Sequence, residues 1–142
     1  MRMKNKGGFT LLEIIIVIII IGVLASLALP RLFSTVEFSR SAEALASFAT
    51  IRGALERCYL MNNSTYVGCT LTAAGTSLDI ENPSSAPNAH FTYLVSGQTT
   101  TGYTITANRT TRNGGTVGHL IVLTQSATSV TRTGTGAFSA IK

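Results

Sequence analysis

The sequence predicts an α+β protein in which one long N-terminal helix packs on a small antiparallel β-sheet. Apolar residues are concentrated in the first 60 positions and recur there at helical spacing. Beyond residue 60 the chain becomes rich in Thr, Ser, Gly and Asn, with short runs of β-branched and aromatic residues between turn residues. At 142 residues, the chain has room for one such domain.

The segment 9–30 is apolar enough to cross a membrane. Residues 14–29 carry no charge and Ser26 is their single polar side chain. From Phe9 to Leu29 the chain has 21 residues, which is enough for a spanning helix at about 1.5 Å per residue. The basic residues of segment 1–8 (Arg2, Lys4 and Lys6) place this leader in the cytoplasm and the rest of the chain outside.

The segment 31–61 is predicted to continue the same helix through Pro30 as an amphipathic half. Asn62-Asn63-Ser64 is a reasonable stop. Gly22 and Pro30 are the expected weak points, because one exposes backbone and the other removes a hydrogen bond. The expected packing face is Phe33, Val36, Ala42, Leu45, Phe48, Ile51, Leu55 and Tyr59, and the charged residues occupy the remaining positions: Arg31, Glu37, Arg40, Glu43, Arg52, Glu56 and Arg57.

The segment 62–142 is predicted to form the β-rich head. Strands are expected at 90–97, 102–110 and 117–125, with a weaker fourth at 127–132, and residues 70–90 are expected to be an irregular surface connection. A head this small benefits from a covalent link. Cys58 and Cys69 lie on the extracytoplasmic side and are therefore predicted to form a disulfide, with two free buried thiols as the alternative.

Composition argues against several classes of function. Without the leader, eight basic and six acidic residues remain, which is a weak footprint for a nucleic-acid binder. DNA binding along a polymer of such subunits nevertheless stays open. The arginines of the C-terminal half (Arg109, Arg112 and Arg132) are spread out and are expected to be solvated.

The head offers no clear catalytic or metal-binding constellation. Asp79, His90 and His119 lack the spacing of a metal site, and both histidines are expected to be surface or satisfied strand residues. Neither an enzymatic activity nor a cofactor is therefore predicted.

Glu13 stands out, because an acidic residue at the centre of a bilayer costs at least about 2.5–3.5 kcal/mol. The stretch Gly8-Phe9-Thr10-Leu11-Leu12-Glu13 follows a short basic leader and resembles the cleavage and methylation motif of type IV prepilins and type II secretion pseudopilins. Gly22 and Pro30 also fall at positions where that family has a glycine and a proline. An ordinary signal peptide cut near "SLA" (26–28) and a plain single-pass anchor explain these features less well.

The resemblance implies a pilin-like fold and a specific role for each residue of the motif. A membrane-embedded prepilin peptidase would cut between Gly8 and Phe9, and Phe9 would be N-methylated. Glu13 would meet the positive N-terminal amine of a neighbouring subunit. Such a pair relieves two buried charges and fixes the axial register.

The resemblance further implies a structural subunit of a type IV pilus. The subunit would reside in the bacterial inner membrane and then be polymerised into an extracellular filament by an assembly platform with an ATPase. A type II secretion pseudopilin is the alternative, and a membrane-anchored enzyme or binding domain is a remote one. Major pseudopilins have an acidic calcium-binding loop near the C-terminus, whereas this chain has no acidic residue after Glu81, which favours the pilus.

Overall fold

The computed structural model describes residues 8–72 and 75–142, so most of the predicted leader lies outside the described residues. Helix α1 spans Leu11–Met61 and includes Pro30 without interruption. The chain forms two compact units, one ending at Thr35 and the other spanning Val36–Lys142.

The head contains a four-stranded antiparallel sheet in the order β3-β4-β5-β6. Its strands are β3 (Phe91–Ser96), β4 (Tyr103–Arg109), β5 (Leu120–Gln125) and β6 (Val130–Gly134). Burial alternates along β3 and β4, as expected for a sheet with one face on a core. The predicted α+β, pilin-like arrangement of one long helix and an antiparallel sheet is therefore confirmed.

Two strands begin about three residues later than the sequence predicts. Before β5, Gly118 has a φ of +93°, which lies outside the strand region, so β5 begins at Leu120 rather than at 117. Before β6, the Ser126 N–H donates to the Ser129 carbonyl at 2.9 Å and closes a turn. Residues 127–129 therefore belong to that turn, and β6 begins at Val130.

Only the later part of the predicted apolar face of the amphipathic half is buried within the chain. Phe33, Val36 and Ala42 are exposed, whereas Phe48, Ile51 and Leu55 are fully buried as predicted. The buried positions on α1 are Ser41, Ala44, Phe48, Ile51, Ala54 and Leu55. Small residues fill three of these positions (Ser41, Ala44 and Ala54), and the larger buried side chains share one core with the sheet.

The connection 70–90 is more ordered than predicted. It contains the two-stranded hairpin β1 (Leu71–Thr72) and β2 (Gly75–Thr76) and a short 3₁₀ turn at Pro83–Ser85. Leu71, Leu78 and Asn82 are buried. The Asn82 side chain caps the turn by accepting the Ser84 N–H at 2.9 Å, and it donates to the Thr72 carbonyl.

Candidate processing and assembly site

The start of α1 is held by Thr10. Its Oγ1 accepts the Glu13 N–H at 3.2 Å, and its carbonyl accepts the Ile14 N–H at 3.3 Å. Thr10 thus acts as the N-cap, and Thr-Leu-Leu-Glu has the spacing of a capping box. That Thr10 caps the helix was not predicted from the sequence. The spacing T-x-x-E is the signal that could have predicted it.

Glu13 lies in the first turn of α1, where the helix dipole favours a carboxylate. Its side chain is exposed, and within the described parts of the chain it makes no ion pair. The helix dipole therefore favours a carboxylate at this position, whereas the charge of Glu13 has no ion-pair partner within the described residues.

The Gly8–Phe9 bond is accessible. Phe9 is 78% exposed, and a Cβ added at Gly8 would meet no atom within 4 Å. The fold of the described chain thus sets no limit on side-chain size at Gly8. Any requirement for a small residue there would have to come from outside the described chain.

The apolar half of α1 is uncovered. The large hydrophobic side chains from Phe9 to Leu29 are exposed, and an 18-residue window within α1 has a mean hydropathy of 3.0 with none of it buried. By length and composition, this helix is apolar enough to cross a membrane. A continuous apolar surface of this extent needs lipid or other subunits to cover it.

The two expected weak points lie inside a continuous helix. α1 passes through both Gly22 and Pro30, and a Cβ added at Gly22 would meet nothing within 4 Å. A bend or local melting of the helix at Gly22 or Pro30 stays a prediction.

The disulfide joins Cys58 near the end of α1 to Cys69 in the following connection, with a Cα–Cα distance of 6.1 Å. It closes a loop of about the size for which the chain-entropy account gives a stabilisation of about 3 kcal/mol. Cys69 is fully buried, and the stacked rings of Tyr59 and Tyr66 lie in the same loop, with centroids 4.6 Å apart.

The expectation that Arg109 is solvated is wrong, because this residue is fully buried. Its Nε and Nη2 donate to the two carboxylate oxygens of Glu37 at 2.9 and 3.0 Å. Three carbonyls (His90, Thr110 and Arg112) accept its remaining hydrogen bonds. The Arg109 guanidinium lowers the pKa of the Glu37 carboxyl below its ordinary value, mainly through its hydrogen bonds to that carboxylate.

The buried arginine explains the glycine that ends the segment Asn-Gly-Gly at 113–115. A Cβ at Gly115 would overlap both the Thr110 carbonyl and the Arg109 guanidinium. Glycine is therefore required where the loop closes over the buried arginine.

Two further contacts tie the helix to the head. His90 places its Nδ1 2.7 Å from Glu43 Oε2, and its backbone N–H donates to the same carboxylate. Arg57 and Asp79 form a bidentate pair at 2.6 and 2.9 Å. Asp79 and His90 thus have structural partners, whereas the ring Nδ1 of His119 is buried without a hydrogen-bond partner among the described residues. Across residues 8–72 and 75–142, no three His, Cys, Asp or Glu side chains are placed to hold a metal ion.

Comparison with known families identifies two matching models. One, described as the prokaryotic N-terminal methylation motif, covers residues 3–29. The other, described as "Type IV minor pilin ComP, DNA uptake sequence receptor", covers residues 30–118. No solved structure was found that matches the chain.

Curated relatives point to the same kind of protein. The type II secretion system core protein G of Klebsiella pneumoniae is 38% identical over 87 residues, covering 61% of this chain and 59% of its own length. The protein of the same name from Aeromonas hydrophila is 33% identical over 87 residues, covering 61% and 58%. A probable minor fimbrial protein of Dichelobacter nodosus is 40% identical over 81 residues, covering 54% and 50%. The matches thus span less than two thirds of these relatives.

Pilins and pseudopilins are structural subunits and not enzymes, which agrees with the structural partners found for His90 and Asp79. The second family model covers more than half of the 142 residues, and the first covers the motif that precedes it. The chain therefore belongs to the type IV pilin-like family represented by the minor pilin ComP.

Proposed function

We propose that this protein is the subunit of a helical filament that polymerises through the apolar half of α1. The observation that carries the proposal is the uncovered apolar surface from Phe9 to Leu29, which includes an unpaired carboxylate, Glu13, in the first turn of α1. In the precursor, the inner membrane would cover this surface. In the filament, the same surface would be covered by other copies of α1.

Processing would convert the precursor into the form that assembles. A prepilin peptidase cuts between Gly8 and Phe9, and N-methylation of Phe9 follows. The cut creates a positive amine four residues from Glu13 in an apolar setting. Either charge alone is costly there, so the amine of one subunit and Glu13 of another relieve each other's burial.

Assembly would require an inner-membrane platform and an ATPase, which extract the subunit from the bilayer. The leader faces the cytoplasm and the head lies outside, as the basic residues of the leader favour.

Two machines fit such a subunit. The pseudopilus of a type II secretion system is the first candidate, because the relatives from Klebsiella and Aeromonas are named core protein G of that system. A type IV pilus is the second. It is favoured by the family model that covers the head and by the minor fimbrial relative from Dichelobacter. The lack of an acidic residue after Glu81 also favours the pilus.

Deleting the gene in its host separates the two machines. A pseudopilus subunit predicts loss of secreted proteins from the culture supernatant while surface filaments remain. A pilus subunit predicts loss of sheared surface filaments while secretion continues, and DNA uptake is then the next phenotype to measure, since the family description names a DNA uptake receptor.

The mature N-terminus tests the shared part of the proposal. Intact mass spectrometry is expected to find a chain that begins at a methylated Phe9. A chain that begins at Met1, or near Leu29, would contradict filament assembly by this route.

A further inference from the structure

A basic cleft lies beside the edge strand of the head sheet. It has a volume of about 410 Å³ and is lined by Arg52, Val130, Thr131, Arg132 and Lys142. Arg52 comes from α1 and Arg132 from β6, the last strand of the sheet. Both arginines also line a smaller recess. Its other lining residues are apolar: Leu45, Phe48, Ala49 and Leu123. The two arginines thus line both a basic cleft and a recess with largely apolar walls.

The two arginines lack an anionic partner within the described residues. Neither is in any of the four ion pairs of this part of the chain. Because a guanidinium is a cationic fork of hydrogen-bond donors, two arginines that line one cleft without an anionic partner favour an incoming oxyanion.

An unpaired carboxylate lies at the other edge of the same sheet. Glu81 is exposed and precedes the 3₁₀ turn at Pro83–Ser85, which packs against β3. β3 and β6 are the two outer strands of the sheet. The other acidic residues of the Val36–Lys142 unit all have partners in the same chain: Glu37, Glu43, Glu56 and Asp79.

We propose that the basic cleft of one subunit receives Glu81 of a second copy of this chain. A contact between two different patches of identical subunits is heterologous, and such contacts generate open helical filaments when the rotation does not close. Unpaired charges of opposite sign at opposite edges of one sheet suit that geometry. This inference rests on the proposed filament function and assigns a contact between heads.

The test is a charge exchange in the full-length protein, expressed in its host with its assembly machinery. The variants are Glu81→Arg, Arg132→Glu and the double variant that carries both changes. Arg112→Glu is the matched control, because Arg112 is exposed and its side chain contacts only Asn88. Sheared filaments are quantified against the membrane pool, which reports whether each variant accumulates.

Each single reversal is expected to lower the filament yield by about tenfold or more, because like charges would face each other across the contact. The double variant should recover at least about half of the wild-type yield, and the Arg112→Glu control should match the wild type. Two normal single variants, or a double variant no better than the singles, would overturn the contact. So would normal filaments of Arg132→Glu that lose binding to duplex DNA, since the cleft would then serve phosphates.

Failure of this inference is distinguishable from failure of the proposed function. If the wild-type chain itself forms no filament and is not cut at Phe9, the proposed function fails. If wild-type filaments form and the single reversals have no effect, the head contact alone is wrong.

Discussion

Arg109 on β4 and Glu37 on α1 form a bidentate pair at 2.9 and 3.0 Å although they lie 72 residues apart in the chain. The guanidinium is fully buried and sits 5.8 Å from the centre of the Phe91 ring. Because three carbonyls also accept from it, all five N–H groups of this guanidinium donate hydrogen bonds. The pair attaches the sheet to the beginning of the amphipathic half of α1.

Glu37→Gln is expected to destabilise the head by about 3 kcal/mol, because it leaves a buried guanidinium without its counter-charge. The value should lie at the low end for such pairs, since the carbonyl contacts of Arg109 remain. The measurement is denaturant unfolding of the full-length protein in detergent micelles.

Glu81→Gln is the matched control for this substitution. Glu81 is exposed, so the free energy of unfolding should change by less than about 0.5 kcal/mol. If the two substitutions lower the free energy of unfolding equally, the Arg109–Glu37 pair does not stabilise the head more than an exposed side chain does.

The stability of the head should depend on pH through Glu37. Its pKa in the folded state is below the ordinary value of 4.5, so the unfolded chain binds more protons in the window beneath that value. The contribution of Glu37 is therefore complete above about pH 4.5 and is lost as the pH falls through the folded pKa.

Thermal unfolding of the wild type and Glu37→Gln at pH 7 and pH 3 measures this contribution of Glu37. The difference in unfolding temperature between the two proteins should shrink at the lower pH. A difference that is constant across this range would contradict the linkage. Asp79, whose pKa is lowered by Arg57, titrates in the same direction in both proteins and therefore cancels from the comparison.

Replacing both cysteines by serine should lower the free energy of unfolding by about 3 kcal/mol, because the loop between Cys58 and Cys69 regains its freedom in the unfolded chain. Reduction of the wild type with dithiothreitol should have the same effect. If reduction leaves the unfolding midpoint unchanged, the link does not stabilise the head.

Gly8→Val is expected to block cleavage while leaving the fold intact, since the space around Gly8 is open in this chain. The precursor should accumulate as a slower band on a gel, with its disulfide formed. Gly22→Val is the matched control, because Gly22 is equally open and lies away from the cut. Normal processing of Gly8→Val would contradict the assignment of the scissile bond.

The sequence was sufficient for the long helix and the meander, because these depend on local patterns. α1 ends at Met61, and Asn63 and Ser64 then adopt positive φ values, as the predicted stop at Asn62–Ser64 requires. The late start of β5 depends on the φ of Gly118, which a propensity count does not register.

The partners of the charged side chains could not be predicted in the same way. Glu37, Glu43 and Arg57 look like the solvated face of an amphipathic helix, yet each meets a residue of the head. Such pairs join positions far apart in sequence, and helical periodicity carries no information about them. The assembly partner of Glu13 is likewise absent from a single chain, since it would come from another copy.

The pairing of Glu13 with a neighbouring N-terminus is the central claim, and Glu13→Gln tests it most directly. The backbone N–H of residue 13 can still donate to Thr10 Oγ1, and Gln also has the spacing of a capping box, so the start of α1 should be preserved while the negative charge is removed. The yield of sheared filament from this variant, relative to wild type and to its own processed membrane pool, is the measurement. We expect cleavage at Phe9 to remain normal and filament yield to fall by about tenfold or more. A Glu13→Gln variant that is cleaved and assembles at the wild-type yield would contradict the claim.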